Sequence, residues 1–513
     1  MAETRQVELT SEGLTADQVI AVARHGARLE PTTSAWTAID ESSAVIDRIL
    51  DNHEIVYGVT TGFGSLADTV IPSERSAELQ VALLRSHAAG MGPPVETEVV
   101  RAMMALRART LAMGYSGVRR EVVQTIVDVL NAGLTPEVPE HGSLGASGDL
   151  APLAHAALCL VGEGAFRAED GTSVPSLEAL REHGIEPLTL RAKEGLALIN
   201  GTDGMLGMLV MSIADLTDLA KVADVAAASS IEALMGTDRV FATDLQRLRP
   251  QVGQAASASN LRLLLAGSAI VESHRENDSR VQDAYSLRCT PAVHGVLRDT
   301  LDHARAIAER ELIAAIDNPM ILPDGRVESC GNFHGAPLAQ VADFLAVSVA
   351  DLSALCERRT DRMLDRNRSH GLPPFLADDP GIDSGMMIAH YTQAAQVAEN
   401  RRLAAPASVD TIPTSALQED HVSMGWSATR KLRVAVSNLR RILAVELATA
   451  IRGVELRAAE PGAGVAAARD AIRAVIPGVG PDRWLSPELV AVEAALADGS
   501  IVAGVEAAVG SLA

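Results

Sequence analysis

Apolar residues recur at helical spacing along most of this chain. Thr15 and Gln18 have the form of a capping box ahead of an apolar stretch, so a helix is predicted to begin there. Further helices are predicted over residues 42–50, 76–89, 96–113, 195–236, 336–366, 385–403 and 422–458. The later helices are long, which indicates a chain built mainly from packed α-helices.

Patterns that favour β-strands are short and few. The stretch EIVYGVTTGFG at residues 54–64 is β-like and runs into a glycine-rich loop, and small hairpins are predicted around Asp170-Gly171 and within residues 320–329. There are no repeats and no regular alternation of strand and helix. The predicted fold class is therefore mainly α, with a smaller mixed N-terminal domain over residues 1–115 and a long helical bundle domain over residues 116–513.

Composition indicates which residues fill the core, and the net charge indicates which partners are disfavoured. Hydrophobic residues make up 47% of the 513 residues but aromatic residues only 3%, so alanine, leucine and valine must fill the core. The net charge of −22 repels phosphate backbones and acidic lipid surfaces, which argues against nucleic acid or a membrane as partner. The apolar run at residues 204–216 is too short to span a bilayer and is interrupted by Asp215, so a buried core helix is predicted.

Cysteine and lysine usage narrows the chemistry. The four cysteines are scattered without a pairing pattern and we find no secretion signal, which is typical of a cytoplasmic protein with reduced thiols. No H-E-x-x-H motif or Cys/His cluster occurs, so no metal is predicted. The three lysines, Lys193, Lys221 and Lys431, leave few candidates for a Schiff base.

The loop Gly145-Ala146-Ser147-Gly148-Asp149 carries very little side chain ahead of an apolar helical stretch. One interpretation is a tight turn in which Ser147 or Asp149 caps the helix. The other is covalent: in a compressed loop, the Gly148 nitrogen attacks the Ala146 carbonyl. Loss of two waters, one taking the Ser147 hydroxyl, then leaves a five-membered ring with an exocyclic methylene. Such a ring is an electrophile, which ordinary side chains cannot supply.

The surrounding sequence favours the covalent interpretation. GSLGASGDLAPLAHAALCLVGEG, at residues 142–164, resembles the active-site signature of the aromatic amino-acid ammonia-lyases, which use a 4-methylideneimidazol-5-one (MIO) group. Other stretches look like blocks of the same family in the same order: VYGVTTGFGSLAD, RSHAAGMG, KEGLALINGTDGM, RVQDAYSLRC, AIDNPMILPDG, GNFHGAP, SHGLPPFL and TSALQEDHVSMGWSA. The resemblance implies that Ala146, Ser147 and Gly148 form MIO without any external cofactor. It also implies a homotetramer whose active sites each take residues from more than one subunit.

The resemblance also implies roles for residues outside the loop. Tyr57, in the N-terminal domain, is implied as the base that removes the substrate β-proton. Arg288 is implied as the clamp on the substrate carboxylate, a task that suits its planar fork. Tyr285 is implied as a further catalytic residue, and Gln282 lies with it near the ring and substrate. Without the resemblance, the RVQDAYSLRC stretch would be interpreted as a polar surface segment.

Two further residues have ordinary structural interpretations beside the implied ones. Asn200 stands before Gly201, as a residue at a helix C-terminus does. The resemblance instead implies that it bonds near the ring and the substrate carboxylate. Phe333 would on general grounds be a core residue, and the resemblance implies that it lies against the ring or the substrate.

Two pairs of residues point to the substrate. The histidine-specific members of the family carry Ser-His and Gln-Glu where this chain has Ser86-His87 and Gln418-Glu419. A carboxylate such as Glu419 can bond an imidazole N–H, whereas a benzene ring offers it nothing. The implied reaction is the deamination of L-histidine to trans-urocanate and ammonia, with the ring acting either on the substrate amine or on the imidazole.

Three alternatives stand beside this expectation. The nearest is a phenylalanine or tyrosine ammonia-lyase or aminomutase of the same family, against which the two residue pairs argue. A lyase of the helical fumarase type would need a GSS-x-M-P-x-K-x-N loop, which we do not find. The most remote is a helical binding protein without activity that keeps the family's sequence blocks.

Overall fold

A computed structural model describes residues 6–62, 69–72, 75–168, 170–276, 278 and 280–513. Helices dominate them, and the predicted mainly α class is confirmed. In chain order the helices are α1 (Ala16–His25), α2 (Thr33–Asp51), α3 (Ser76–His87), α4 (Thr97–Ala112), α5 (Arg120–Asn131), α6 (Leu150–Leu160), α7 (Ser176–Glu182), α8 (Glu194–Ile199), α9 (Asp203–Ala233), α10 (Thr243–Arg247), α11 (Val252–Leu264), α12 (Ala269–Glu272), α13 (Tyr285–Arg288), α14 (Thr290–Leu312), α15 (Ala336–Leu364), α16 (Met387–Leu403), α17 (Gly425–Glu455), α18 (Ala463–Val475), α19 (Ser486–Ala497) and α20 (Ser500–Val509).

The described strands are short and form four small sheets. They are β1 (Gln6–Leu9), β2 (Arg28–Pro31), β3 (Met91–Pro94), β4 (Thr135–Pro136), β5 (Pro139–His141), β6 (Ala165–Arg167), β7 (Ser173–Pro175), β8 (Met320–Ile321) and β9 (Val327–Glu328). β1 pairs with β2 in parallel, with Gln6 opposite Arg28. β3 pairs with β5, β6 pairs with both β4 and β7, and β8 pairs with β9, all antiparallel. Both predicted hairpins, β6–β7 and β8–β9, are confirmed.

The chain divides into two compact units, each discontinuous in sequence. Unit 1 comprises Met1–Met211, Arg305–Asp343 and Pro406–Arg430, and unit 2 comprises Ser212–Ala304, Phe344–Ala405 and Lys431–Ala513. All the described strands belong to unit 1, whereas the regular elements described in unit 2 are helices. The domain boundary at residue 115 stays a prediction, because these units group residues within the folded chain and do not report independent folding.

Local sequence signals explain how several elements begin and end. The capping box of α1 is confirmed: the Thr15 hydroxyl accepts from the Gln18 backbone N–H, and the Gln18 side chain accepts from the Thr15 backbone. Gly26 ends the same helix in the left-handed conformation that glycine tolerates best. The apolar run at residues 204–216, predicted to be a buried core helix, lies in α9, and Met205, Leu206 and their apolar neighbours are buried as expected. Among the described residues, only α15 is long and apolar enough to cross a membrane, and 67% of its most apolar window is buried inside the protein.

Two stretches near the candidate site depart from the predicted elements. The nearly continuous helix predicted over residues 195–236 is interrupted once, at residues 200–202 between α8 and α9, where Asn200 ends α8 before Gly201 as its helix C-terminal interpretation expected. The break exists because the Gly201 carbonyl accepts the Asp149 N–H at 2.7 Å and is therefore held by another part of the chain. In the β-like stretch, residues 57–60 instead form a turn in which the Thr60 and Thr61 hydroxyls accept backbone N–H groups, and Phe63 and Gly64 lie outside the described residues.

Candidate active site

A cavity of about 600 Å³ in unit 1 brings together residues that the sequence places far apart. Helices α3, α6 and α8 pack on one another and supply its apolar wall, including Leu83, Leu150 and Leu196. Five of the predicted site residues line the cavity: Tyr57, His87, Ser147, Asn200 and Glu419. The volume falls within the range of small-molecule sites, which suits an amino acid.

The loop before α6 is tightly held at both ends. Gly145 and Gly148 form an isolated antiparallel bridge and both have left-handed backbones, with φ of 70° and 73°. A Cβ on Gly148 would overlap the Gly201 carbonyl oxygen, so only glycine fits there. Ser147 lies between these constraints, flanked by Ala146 and Gly148, and lines the cavity. The small residues therefore permit a close backbone approach that larger side chains would prevent.

The other side of the loop rests on the start of α17. The Leu144 carbonyl accepts the Met424 N–H at 2.9 Å, and the Gly145 carbonyl accepts the Ser423 hydroxyl at 3.1 Å. The Ser143 hydroxyl in turn accepts the Gly145 N–H at 3.1 Å. These bonds fix the backbone on which ring closure would have to occur.

Asp149 does not cap α6, which contradicts that part of the turn-and-cap interpretation. Its buried carboxylate instead accepts the Met205 N–H at 2.8 Å and the Ser143 hydroxyl at 3.1 Å. Burial raises the pKa of Asp149 to about 7, although the hydrogen bonds oppose this shift. Asp149 therefore ties the loop to the first turn of α9.

His87 is the last residue of α3, and its hydrogen bonds define its tautomer. Its Nδ1 lies 2.9 Å from the Leu83 carbonyl oxygen, which only accepts, so Nδ1 carries the proton. The Ser86 hydroxyl donates to the same carbonyl at 3.0 Å. Burial lowers the pKa of His87, whereas the Leu83 bond and the Glu419 carboxylate oppose that shift. The ring is therefore held neutral, with the Nε2 lone pair available to accept an N–H from a ligand.

Glu419 is presented by a strained loop. Its backbone carbonyl accepts the Thr414 N–H at 3.0 Å, and its carboxylate accepts the Thr414 hydroxyl at 2.6 Å. Between them, Ser415, Ala416 and Leu417 all have positive φ, of 50°, 53° and 70°. Successive L-residues in this region are costly and occur where a structure constrains a functional site. Ser415 itself lines the cavity, and sequence reasoning passed over it although it lies in the recognised TSALQEDHVSMGWSA block.

Tyr57 lies in a turn held by hydroxyls. The Val56 N–H donates to the Thr60 hydroxyl at 2.9 Å, and the Gly58 N–H donates to the Thr61 hydroxyl at 3.2 Å. Gly58 has a φ of 69°, and a Cβ there would overlap the Leu196 side chain. The Tyr57 turn is therefore packed directly onto α8.

Asn200 ends α8 and is buried. Its side-chain amide donates to the Asn318 carbonyl at 2.8 Å, and its own carbonyl accepts Arg107 at 2.9 Å. Asn318 also lines the cavity. Sequence reasoning passed over Asn318, although the AIDNPMILPDG block that contains it was recognised.

A buried charged layer supports this wall of the cavity. Asp203 lies 3.4 Å from the Arg107 guanidinium and 3.7 Å from that of Arg109, and all three side chains are at most 2% exposed. Burial lowers the pKa of Arg109 to about 10, opposed by Asp203. Thr202 donates to the Glu311 carboxylate at 2.6 Å within the same layer. The layer fixes residues 200–203, where the predicted long helix is interrupted.

Gln282, Tyr285 and Arg288 belong to unit 2 and are not among the described residues that line the cavity. Gln282 is exposed, and Tyr285 is 71% exposed. The Arg288 Cζ lies over the Tyr285 ring, 4.5 Å from its centroid, and the guanidinium has no carboxylate partner among the described residues. The arrangement presents a cation and a phenol to whatever approaches this face.

Phe333 also does not line the cavity in the part of the chain that the structure describes. It is half-buried in the loop before α15. The next residue, His334, stacks on His421 with ring centroids 5.4 Å apart. The described residues contain no group of three or more His, Cys, Asp or Glu side chains that could hold a metal.

The chain is similar to known proteins along nearly its whole length. The family described as "Aromatic amino acid lyase" matches residues 14–474. The chain is 59% identical over 512 residues to the histidine ammonia-lyase of Streptomyces griseus, with 99% of each chain covered. The structure resembles histidine ammonia-lyase from Trypanosoma cruzi, with 40% identity, a TM-score of 0.90 and coverage of 98% of this chain and 96% of that chain. It also resembles tyrosine aminomutase from Streptomyces globisporus, with 36% identity, a TM-score of 0.93 and coverage of 99% and 100%. The chain therefore belongs to the aromatic amino acid lyase family.

Proposed function

We propose that this chain is a carbon–nitrogen lyase that converts L-histidine to trans-urocanate and ammonia. The observation that carries the proposal is the presence of His87, Glu419 and Ser147 in the lining of one cavity. Similarity to curated histidine ammonia-lyases along the whole chain supports the same conclusion. The electrophile proposed is MIO, formed from Ala146, Ser147 and Gly148.

The loop fits the requirements of that ring. Cyclisation needs the Gly148 nitrogen to approach the Ala146 carbonyl, and the Gly145–Gly148 bridge already compresses the loop. It needs a β-hydroxyl to eliminate, which Ser147 carries. Once formed, the ring supplies an electrophile that activates the substrate for loss of ammonia.

Recognition of the imidazole follows from two acceptors. His87 offers its Nε2 lone pair, because its Nδ1–H is used by Leu83. Glu419 offers a carboxylate that Thr414 already orients. An imidazolium has two N–H donors for these two acceptors and a neutral imidazole has one, whereas a phenylalanine ring has none and a tyrosine ring offers only its phenolic hydroxyl. The pair therefore favours histidine.

The remaining residues act on the reacting end of the substrate. Tyr57 is proposed to take the β-proton on its phenolic oxygen, while Asn200 binds near the ring and the carboxylate. Arg288 is proposed to clamp the carboxylate, with Gln282 and Tyr285 beside it. These three would come from another subunit of a homotetramer, and Phe333 would pack against the ring or substrate. A monomer in light scattering would contradict this arrangement, because the shared sites could not form.

Partners and location are proposed on the same basis. The net charge of −22 disfavours nucleic acid and acidic membranes as partners. The four cysteines are free thiols, which suits a cytoplasmic enzyme.

The first test is the mass of the proteolytic peptide that contains Ala146-Ser147-Gly148. A peptide lighter than its sequence by two water molecules supports ring formation, and the same peptide from Ser147→Ala, which lacks the hydroxyl, should keep its full mass. An unmodified peptide from folded, unaltered protein would remove the electrophile and the proposed catalysis with it.

The second candidate is an aminomutase or ammonia-lyase acting on tyrosine or phenylalanine. The likeness to tyrosine aminomutase, with a TM-score of 0.93, is the observation in its favour. A panel of L-histidine, L-tyrosine and L-phenylalanine separates the two. We expect L-histidine to be the only one of the three that is converted, with urocanate as the product. A preference for L-tyrosine or L-phenylalanine would reject the histidine assignment.

A further inference from the structure

Lys193 is a buried lysine that the proposed reaction does not use. It stands immediately before α8 with a φ of 72°, a left-handed conformation that is unusual for a residue with a side chain. Its ammonium lies 2.7 Å from the Asp317 carboxylate, and both side chains are 0% exposed. Burial lowers the pKa of Lys193, and Asp317 opposes this shift. Such a pair is costly to desolvate, so its geometry calls for an explanation beyond core filling.

From Asp317, hydrogen bonds lead directly to the cavity. The second carboxylate oxygen of Asp317 accepts the Asn318 N–H at 2.7 Å. The Asn318 carbonyl accepts the Asn200 side chain at 2.8 Å, and its side-chain oxygen accepts the Cys330 N–H at 2.8 Å. Asn200 and Asn318 both line the cavity. The buried pair thus holds the Asn318 backbone, whose carbonyl in turn holds the Asn200 side chain.

The same segment also supports the Tyr57 turn. A Cβ on Gly58 would lie 3.2 Å from Pro319, so the turn rests on the residue that follows Asn318. Lys193 and Asn200 flank α8, at its start and at its end. One ion pair therefore connects α8, the residue 317–319 segment and the turn that carries Tyr57.

We propose that Lys193, through Asp317, is a positioning residue that sets Asn200, Asn318 and the Tyr57 turn for the chemical step. This inference rests on the proposed function. The Lys193 ammonium pairs with Asp317, a residue with no proposed contact to the substrate. Lys193 therefore acts through that partner. Its loss should therefore lower kcat while leaving imidazole recognition by His87 and Glu419 unchanged.

The neighbouring residue provides a matched control. Glu194 is 1% exposed and forms an ion pair with Arg119 at 2.8 Å from the same end of α8. Neither Glu194 nor Arg119 lines the cavity. Removal of that pair should loosen α8 without moving the residue 317–319 segment.

The test compares two doubly substituted, charge-free variants of the full chain. Lys193→Met with Asp317→Asn removes the pair and keeps an acceptor for the Asn318 N–H, and Arg119→Met with Glu194→Gln is the control. For the first we expect kcat for L-histidine to fall about tenfold, since small misplacements at a reacting centre have effects of this size. The inhibition constant of urocanate should change less than about twofold, because His87 and Glu419 are untouched. The control should keep its kcat within about twofold.

The outcomes separate this inference from the proposed function. An equal loss of kcat in both double variants, or none in the first, overturns the inference while an active parent enzyme upholds the function. If the first variant does not fold, Asp317→Asn alone decides: a kcat lowered at least about fivefold supports positioning, and an unchanged kcat overturns it. A parent protein that does not deaminate L-histidine would reject the proposed function, and this inference with it.

Discussion

The residue 142–149 loop in unit 1 and the residue 280–288 segment in unit 2 carry the two halves of the proposed chemistry in opposite ways. In the loop, Gly145, Gly148 and Asp149 are buried, and the backbone is bonded on both sides. In the segment, Tyr285 is 71% exposed and Arg288 has no carboxylate partner among the described residues. The loop is largely buried and its backbone is hydrogen-bonded. The segment exposes the Tyr285 ring, and its Arg288 guanidinium lacks a carboxylate partner in the described part of the chain.

The difference follows from what each region is proposed to do. A backbone that must react with itself needs compression, which only burial and external hydrogen bonds can maintain. A cation that must bind a carboxylate needs to be free of one beforehand. The segment is nevertheless held in place, because the buried Asp283 carboxylate accepts the Thr237 N–H at 2.7 Å and so anchors the backbone. An anchored arginine that lacks a carboxylate partner in the described part of the chain suits a site that another copy of the chain would complete.

The largest expected effect on activity comes from inactivating each region separately and then combining the two defective chains in one tetramer. Ser147→Ala and Arg288→Ala should each lower kcat/KM at least about a thousandfold, the first by removing the electrophile and the second by removing the carboxylate clamp. Co-expression of the two variants should restore about a quarter of the parent activity. That fraction follows if each site draws these residues from different subunits and the subunits mix at random.

The control for this experiment is a pair of variants from the same region. Ser147→Ala co-expressed with His87→Ala affects two residues of one cavity in one unit. No activity should return, because every site is then defective at one residue or the other. Recovery in this control, or none with Arg288→Ala, would contradict the assignment of the two regions to different subunits.

Elements whose causes lie nearby in the chain could be predicted from the sequence. Helix α1 and the hairpin β6–β7 were predictable because their caps and turns lie within a few residues of the elements they define. The break at residues 200–202 was indicated only by Asn200-Gly201, a pair typical of a helix C-terminus, because the bond that holds it comes from Asp149, some fifty positions away along the chain. The candidate residues came from family blocks, but the Lys193–Asp317 pair spans 124 positions and no local pattern indicates it. Sequence reasoning therefore missed the features that depend on contacts between residues far apart in the chain.

Each unit also buries a carboxyl group whose pKa is raised, Asp149 in unit 1 and Glu232 in unit 2. Burial raises the pKa of Glu232 in unit 2 from 4.5 to about 7, while Ser268 and the Gly462 N–H oppose it. Between these pH values the native state holds the proton more tightly than the unfolded chain does. The stabilisation is therefore fully present below pH 4.5 and is lost as the pH rises through about 7.

Glu232→Gln should imitate the protonated form and remove this dependence. Above pH 7 the variant should be more stable than the parent by up to roughly 3 kcal/mol, with kcat unchanged, because Glu232 does not line the cavity. Thermal unfolding from pH 5 to 8 measures the effect. Glu506→Gln is the control of opposite sign, since its ion pair with Lys221 lowers the pKa of Glu506. Parallel Tm curves for the parent and Glu232→Gln would show that Glu232 does not titrate in this range.

The smallest expected effect tests how the open segment is anchored. The Thr290 hydroxyl donates to the Ser286 carbonyl at 3.2 Å and accepts from Arg359 at 3.4 Å, so it links the end of α13 to a buried arginine. Thr290→Val keeps the shape but removes both bonds, which should raise KM for L-histidine about threefold by loosening Arg288. Thr300→Val, on the same helix, removes an equivalent bond to Val296 at 2.8 Å and should leave KM unchanged. If both variants raise KM equally, the effect belongs to α14 as a whole. The anchoring of the segment would then not depend on the Thr290 hydroxyl, and its exposed side chains would owe their placement to the assembled subunits instead.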